Sequence, residues 1–68
     1  MRYLLIFDAE LFTAEARALL LGVAANTEIV DEDNLPGGRL RIEVVTMASI
    51  EAILALKLKQ SFVKRCGV

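Results

Sequence analysis

Asp8 and Glu10 stand two residues apart at the end of an apolar run, YLLIF, and paired carboxylates are the usual equipment of general acid–base chemistry. Asp31, Glu32, Asp33 and Asn34 follow one another directly, an oxygen-rich set of the kind that binds hard cations such as calcium. Pro36-Gly37-Gly38-Arg39 offers pliant backbone amides and a guanidinium, the materials of a phosphate cradle. Cys66 is the one thiol. The cations Arg39, Arg41, Lys57, Lys59, Lys64 and Arg65 all lie in the second half, where they could make charged contacts with nucleic acid or an acidic surface.

Each of these groups lacks something its chemistry requires. The strand-like run closed by Asp8, with Glu10 two residues on, is similar to the nucleophile loop of haloacid-dehalogenase-type phosphatases. The resemblance implies Asp8 as nucleophile and Glu10 in the place of the acid/base. It covers only the run and the two acids: Leu11-Phe12 replaces the expected Gly-Thr, and 68 residues do not supply the further sheet and metal loops. Read on their own, these residues end a strand and help start a helix. A calcium loop beginning at Asp31 needs an oxygen ligand at its fifth position and glycine at its sixth, where Leu35 and Pro36 stand. That segment reads as a solvated acidic turn. Phosphate loops run into a helix N-terminus, whereas Pro36-Gly37-Gly38 runs into a strand pattern. Cys66 has no histidine anywhere in the chain to activate it, and one thiol without histidine makes no zinc site. The residues therefore assign no catalytic, cofactor or metal position.

A chain of 68 residues is read as one domain spanning residues 1–68. At this size folding buries only about 60% of the surface, so small domains lean on disulfides, metals or partners. A single cysteine excludes an internal disulfide, which leaves a partner chain. The 56% hydrophobic content agrees, standing above the roughly 45–50% of ordinary domains even though that average includes glycine. The longest charge-free stretches, residues 18–27 and 44–50, are well short of the ~20 residues of a spanning helix. Asp8 and Glu10 interrupt any signal-peptide core. The expected setting is the cytoplasm, without membrane contact and with Cys66 reduced.

Charge is unevenly spread. Residues 1–34 carry two cations against seven acids, net −5; residues 35–68 carry six against two, net +4. Such asymmetry can steer a charged partner or a second copy packed head to tail, unless the fold interleaves the halves.

The elements that must position these groups follow from periodicity. An apolar strand is expected over residues 2–7, then a helix capped by Asp8 or, better, Thr13, with Glu15 in its first turn. Phe12, Ala16, Leu19, Leu20 and Val23 form its face, and Asn26, in preference to Gly22, is expected to end it. A short strand over residues 28–31, a turn over 32–38 and a strand over 39–46 make a hairpin; Leu40, Ile42 and Val44 alternate with Arg39, Arg41 and Glu43. A last helix, capped by Thr46 or Ser49, is expected to reach Cys66 and stop at Gly67, with a stripe of Ile50, Leu54, Leu58 and Phe62. Ile53, Leu56 and Val63 fall outside that stripe.

This order, β-α-β-β-α, predicts an α+β two-layer sandwich: a three-stranded sheet with two helices in a split β-α-β, truncated ferredoxin-like arrangement. Its first strand would lie at an open edge, with nothing beside it. Tyr3, Leu4, Leu5, Ile6 and Phe7 carry none of the usual edge protections and are the expected interface, joined by Leu56 and Val63 on the helix surface. The function class that follows is a small non-enzymatic interaction module (an adaptor, regulator or inhibitor, phage-type proteins among them) in a homodimer or on a larger protein partner. Two alternatives stand beside it. One is a dimeric ligand-binding or catalytic module with Tyr3 and Arg41 as polar contacts; the other is nucleic-acid binding through the basic last helix.

Overall fold

The computed structural model describes residues 1–66, so the expected stop at Gly67 lies outside the described residues. Strand β1 (Arg2–Asp8) alternates as its side chains dictate: Tyr3, Leu5 and Phe7 are buried, while Arg2 and Asp8 are exposed and Leu4 and Ile6 are half-buried. A 3₁₀ turn over Ala9–Leu11 leads to helix α1 (Ala14–Leu21). Thr13 caps it, its Oγ1 accepting from the Ala16 N–H at 3.2 Å, and Glu15 sits in the first turn. The helix ends at Gly22, whose N–H donates to the Ala18 carbonyl at 2.9 Å. Asn26 does take the left-handed conformation, φ 60°, but in the loop beyond, so the helix is shorter than its apolar spacing suggested.

Strands β2 (Glu28–Leu35) and β3 (Arg39–Val45) form the expected hairpin with a tighter turn. Gly37 and Gly38 occupy φ 82° and 73°, a region other residues enter only with strain. The acidic run 31–34 is strand rather than turn. Paired to β3, it sets Asp33 opposite Arg41, which also reaches Asp31 at 2.6 Å, and this attraction offsets the like-charge pair Asp31–Glu43 and the poor strand preference of Asp and Asn.

The largest correction concerns the second half. Helix α2 (Ile50–Ala55) begins as expected at Ser49, whose Oγ accepts from the Ala52 N–H at 3.2 Å. It lasts six residues. Lys57 turns left-handed, φ 55°, and the chain leaves as strand β4 (Gln60–Cys66), antiparallel to β1. The four-residue stripe therefore breaks after Leu54, and Phe62 and Val63 are strand residues on opposite faces.

The sheet is four-stranded, order β2-β3-β1-β4, with every neighbouring pair antiparallel. The element order is thus the complete β-α-β-β-α-β of the split β-α-β arrangement, not a truncated one. Strand β1 has no open edge: Leu5 lies between Ile42 of β3 and Val63 of β4. Both helices cover one face, since Leu20 and Ile53 share a core with Tyr3, Leu5, Phe7, Phe12, Leu40, Ile42 and Val44. The Phe7 and Phe12 rings meet at 4.7 Å between centroids.

One partly buried polar chain ties the loop before β2 to the segment before α2. The Ala48 N–H donates to Thr46 Oγ1 at 3.1 Å, and the Thr27 hydroxyl donates to the Ala24 carbonyl at 2.7 Å. Each hydroxyl has one hydrogen, so Thr46 donates across the 2.8 Å that separates it from Thr27. Thr46→Val keeps the shape and removes that link, leaving the Ala48 N–H without its acceptor. The expected loss is about 1–3 kcal/mol, read as a lower urea midpoint at unchanged slope; an unmoved midpoint would show that the hydroxyl contributes nothing.

Candidate functional site

The open face of the sheet carries the densest grouping of chemistry-bearing side chains. The registers put Arg2, Leu4, Ile6 and Asp8 of β1 on it beside Arg39, Arg41, Glu43 and Val45 of β3. From β4 come Phe62, opposite Ile6, and Lys64, opposite Leu4; from β2 come Asp31 and Asp33. Leu4, Ile6 and Phe62 thus form an apolar centre, with Phe62 46% exposed. A solvated sheet face normally alternates to polar residues, so three large apolar groups here are a departure from the rule.

Beside that centre, Arg41 is held among three acids. It meets Asp31 at 2.6 Å, Glu43 at 3.0 Å and Asp33 at 3.8 Å. Its guanidinium is held above its ordinary pKa, first by the hydrogen bond to Asp31. Arg41 is therefore committed to its own chain's acids. A second ion pair binds the layers on the other side: Arg17 of α1 grips both Glu32 oxygens of β2, at 2.8 and 3.0 Å, and lies 5.0 Å from the Phe12 ring. That hydrogen bond is the main reason the Glu32 carboxyl is held below its ordinary pKa. These are clamps between elements; none aims a strained group into a cleft.

On the helix side a shallow groove of about 480 Å³ runs along α1, lined by Glu15, Ala18, Leu19, Gly22 and Leu56. Tyr3 and Arg41 do not line it: the Tyr3 hydroxyl is buried, donating to the Ala48 carbonyl at 2.8 Å, and Arg41 is on the opposite face. Neither residue is therefore a polar contact of this groove.

The other expected interface residues divide. Leu4 and Ile6 reach the open face, and Leu56 reaches the groove. Tyr3, Leu5 and Phe7 are core, and Val63 packs against it from β4. The edge on which the expected interface was built is occupied by β4, because residues 60–66 are strand and not helix. The expected basic helix is likewise dissolved. Lys57 and Lys59 precede β4, Lys64 lies on the open face, Arg65 falls on the helix side, and Arg39 and Arg41 stand two strands away. Phe62 is the residue sequence reasoning missed as a surface group; residues 60–66 show no clean alternation, and the four-residue spacing of Ile50, Leu54, Leu58 and Phe62 pointed to a helix. Asp8 and Glu10 separate into the end of β1 and the 3₁₀ turn. Among the described residues no group of three or more His, Cys, Asp or Glu could hold a metal ion, and no helix is long and apolar enough to cross a membrane. Cys66 is half-buried and free.

No protein-family model matches this chain, and no curated protein or solved structure is significantly similar to it. Fold and site define the class as far as it goes: a small α+β domain with an antiparallel four-stranded sheet and one sheet face without a second layer.

Proposed function

We propose that this chain is a non-enzymatic protein–protein interaction module, and that an apolar surface of a partner protein seats on the open sheet face around Leu4, Ile6 and Phe62. The observation that carries the reading is this apolar centre on the side of the sheet that no helix covers. Burying it removes apolar area from water at roughly 25 cal/mol per Å². The flanking charges Arg2, Lys64 and Glu43 supply a polar rim that would select orientation. Affinity capture from the source cell tests it with three baits: the native chain, Ile6→Lys/Phe62→Ser on the open face, and Leu19→Ser in the helix-side groove. The expected result is a partner retained by the native and Leu19→Ser baits and lost from the open-face variant. Retention by all three, or loss only with Leu19→Ser, would overturn the reading.

A further inference from the structure

The charge imbalance between the chain's halves becomes a spatial one. Strand order β2-β3-β1-β4 places the acidic strand and the basic strand at opposite edges of the sheet. Strand β2 carries Glu28, Asp31, Glu32 and Asp33 and no cation; β4 carries Lys64 and Arg65 and no acid, and Lys57 and Lys59 lead into it. Among the described residues the outer sides of these two strands are the only unpaired sheet edges. From this we infer that the chain adds to copies of itself edge to edge, β4 of one copy against β2 of the next.

Strand direction permits this without rearrangement. Each strand is antiparallel to its neighbour, so β1 and β2 run one way and β3 and β4 the other. A second copy in the same orientation therefore presents β2 antiparallel to the first copy's β4, and the sheet continues. Side-chain faces then fix the register. Lys64 and Phe62 point to the open face with Asp33 and Leu35, while Arg65 and Glu32 point to the helix side. One antiparallel register satisfies all three pairs at once: Lys64 opposite Asp33, Arg65 opposite Glu32 and Phe62 opposite Leu35. Opposite charges and apolar pairs facing across strands are the stabilising unit of a sheet.

The symmetric alternatives are disfavoured by the same charges. Pairing β2 with its own copy sets four acids against four, and pairing β4 with its own copy sets two cations against two. Three of the β2 acids already meet Arg17 or Arg41, yet four acids against two cations leave that edge acidic, and the chain's own β4 is a basic strand. An interface of two different edges does not close in a dimer; it grows into a ring or a filament. Phe62 and Lys64 belong both to this seam and to the open-face surface, so Glu32→Lys/Asp33→Lys, which changes neither, tests the seam separately.

Sedimentation velocity on the purified chain tests it by charge exchange. The native chain is expected to form species beyond the dimer at low salt and to dissociate toward monomer at about 0.5 M salt, where screening is short-ranged. Glu32→Lys/Asp33→Lys alone and Lys64→Glu/Arg65→Glu alone are each expected to weaken association on the order of tenfold or more. Mixed one to one, the two variants restore it, because every edge again meets its opposite. A native chain that stays monomeric at every concentration overturns the proposal, as does either variant associating like the native chain, or a mixture that stays monomeric. Circular dichroism checks that both variants fold. If a reversal does not fold, Glu32→Gln/Asp33→Asn carries the test: weaker association with reduced salt sensitivity supports head-to-tail pairing, and unchanged association overturns it.

Discussion

Leu5→Lys unfolds this chain, and Ile6→Lys, one residue further on, leaves it folded. Leu5 is fully buried, flanked across the sheet by Ile42 and Val63 and roofed by the helices. A lysine there either buries an unpaired ammonium or tears the layers apart to hydrate it, a cost of several kcal/mol. Domains hold about 0.05–0.15 kcal/mol per residue, so a chain this size has little beyond that to lose. Ile6 has the same chemistry and the opposite direction. It lies between Arg41 and Phe62 on the open face, where a lysine stem can cover Phe62 and its ammonium can reach water. The expected readouts are loss of the cooperative thermal transition for Leu5→Lys and a midpoint lowered by about 1 kcal/mol or less for Ile6→Lys. A folded Leu5→Lys with near-native melting would mean that β1 does not face the helices as described.

Ending the chain after Lys59 is the second large perturbation, because it removes β4 whole. Strand β1 would then keep only β3, and the backbone groups along Tyr3, Leu4, Leu5, Ile6 and Phe7 that β4 now satisfies would face water. Five consecutive apolar residues on an unpaired edge, without charge or proline, form a template for indiscriminate strand addition. The truncated chain is expected to lose its cooperative transition and to collect in β-rich aggregates that bind amyloid dyes. A soluble monomer with the native circular dichroism spectrum would show that β4 contributes little to the fold. The apolar first strand is a hazard held in check by the last one.

These two outcomes mark where the sequence was legible. The 39–45 alternation needed no context, since one side of that strand is core and the other solvent, and the pattern records both. Thr13 and Ser49 announced their helices through local hydroxyl caps, which depend on neighbours three residues away. What failed was non-local. Residues 31–34 carry turn chemistry by composition, and it is pairing with β3, where Arg41 reaches Asp31 and Asp33, that makes them strand. Residues 60–66 have one buried-side valine and no clean alternation, and Ile50, Leu54, Leu58 and Phe62 continue a helical period straight into them. The strand exists because β1 offers an edge 53 or more residues away in the chain, as the Ser61 hydroxyl bond to the Ile6 carbonyl illustrates. The open-face centre was half legible: the alternation of YLLIF separated Leu4 and Ile6 from the core set, but Phe62 could join them only once β4 was known.

The strand order also has a consequence in time. A ribosome releases β1 first and β4 after every other strand, yet β4 is one of the two neighbours that β1 requires. Throughout synthesis the YLLIF segment is therefore present without its final cover, and the sheet cannot close until residues 60–66 have left the exit tunnel. Growing chains expose their apolar segments in the order they are made, and all of residues 9–59 must follow β1 before β4 begins. During that interval a chaperone that holds short apolar strands would find its target in YLLIF, before β4 arrives to cover it.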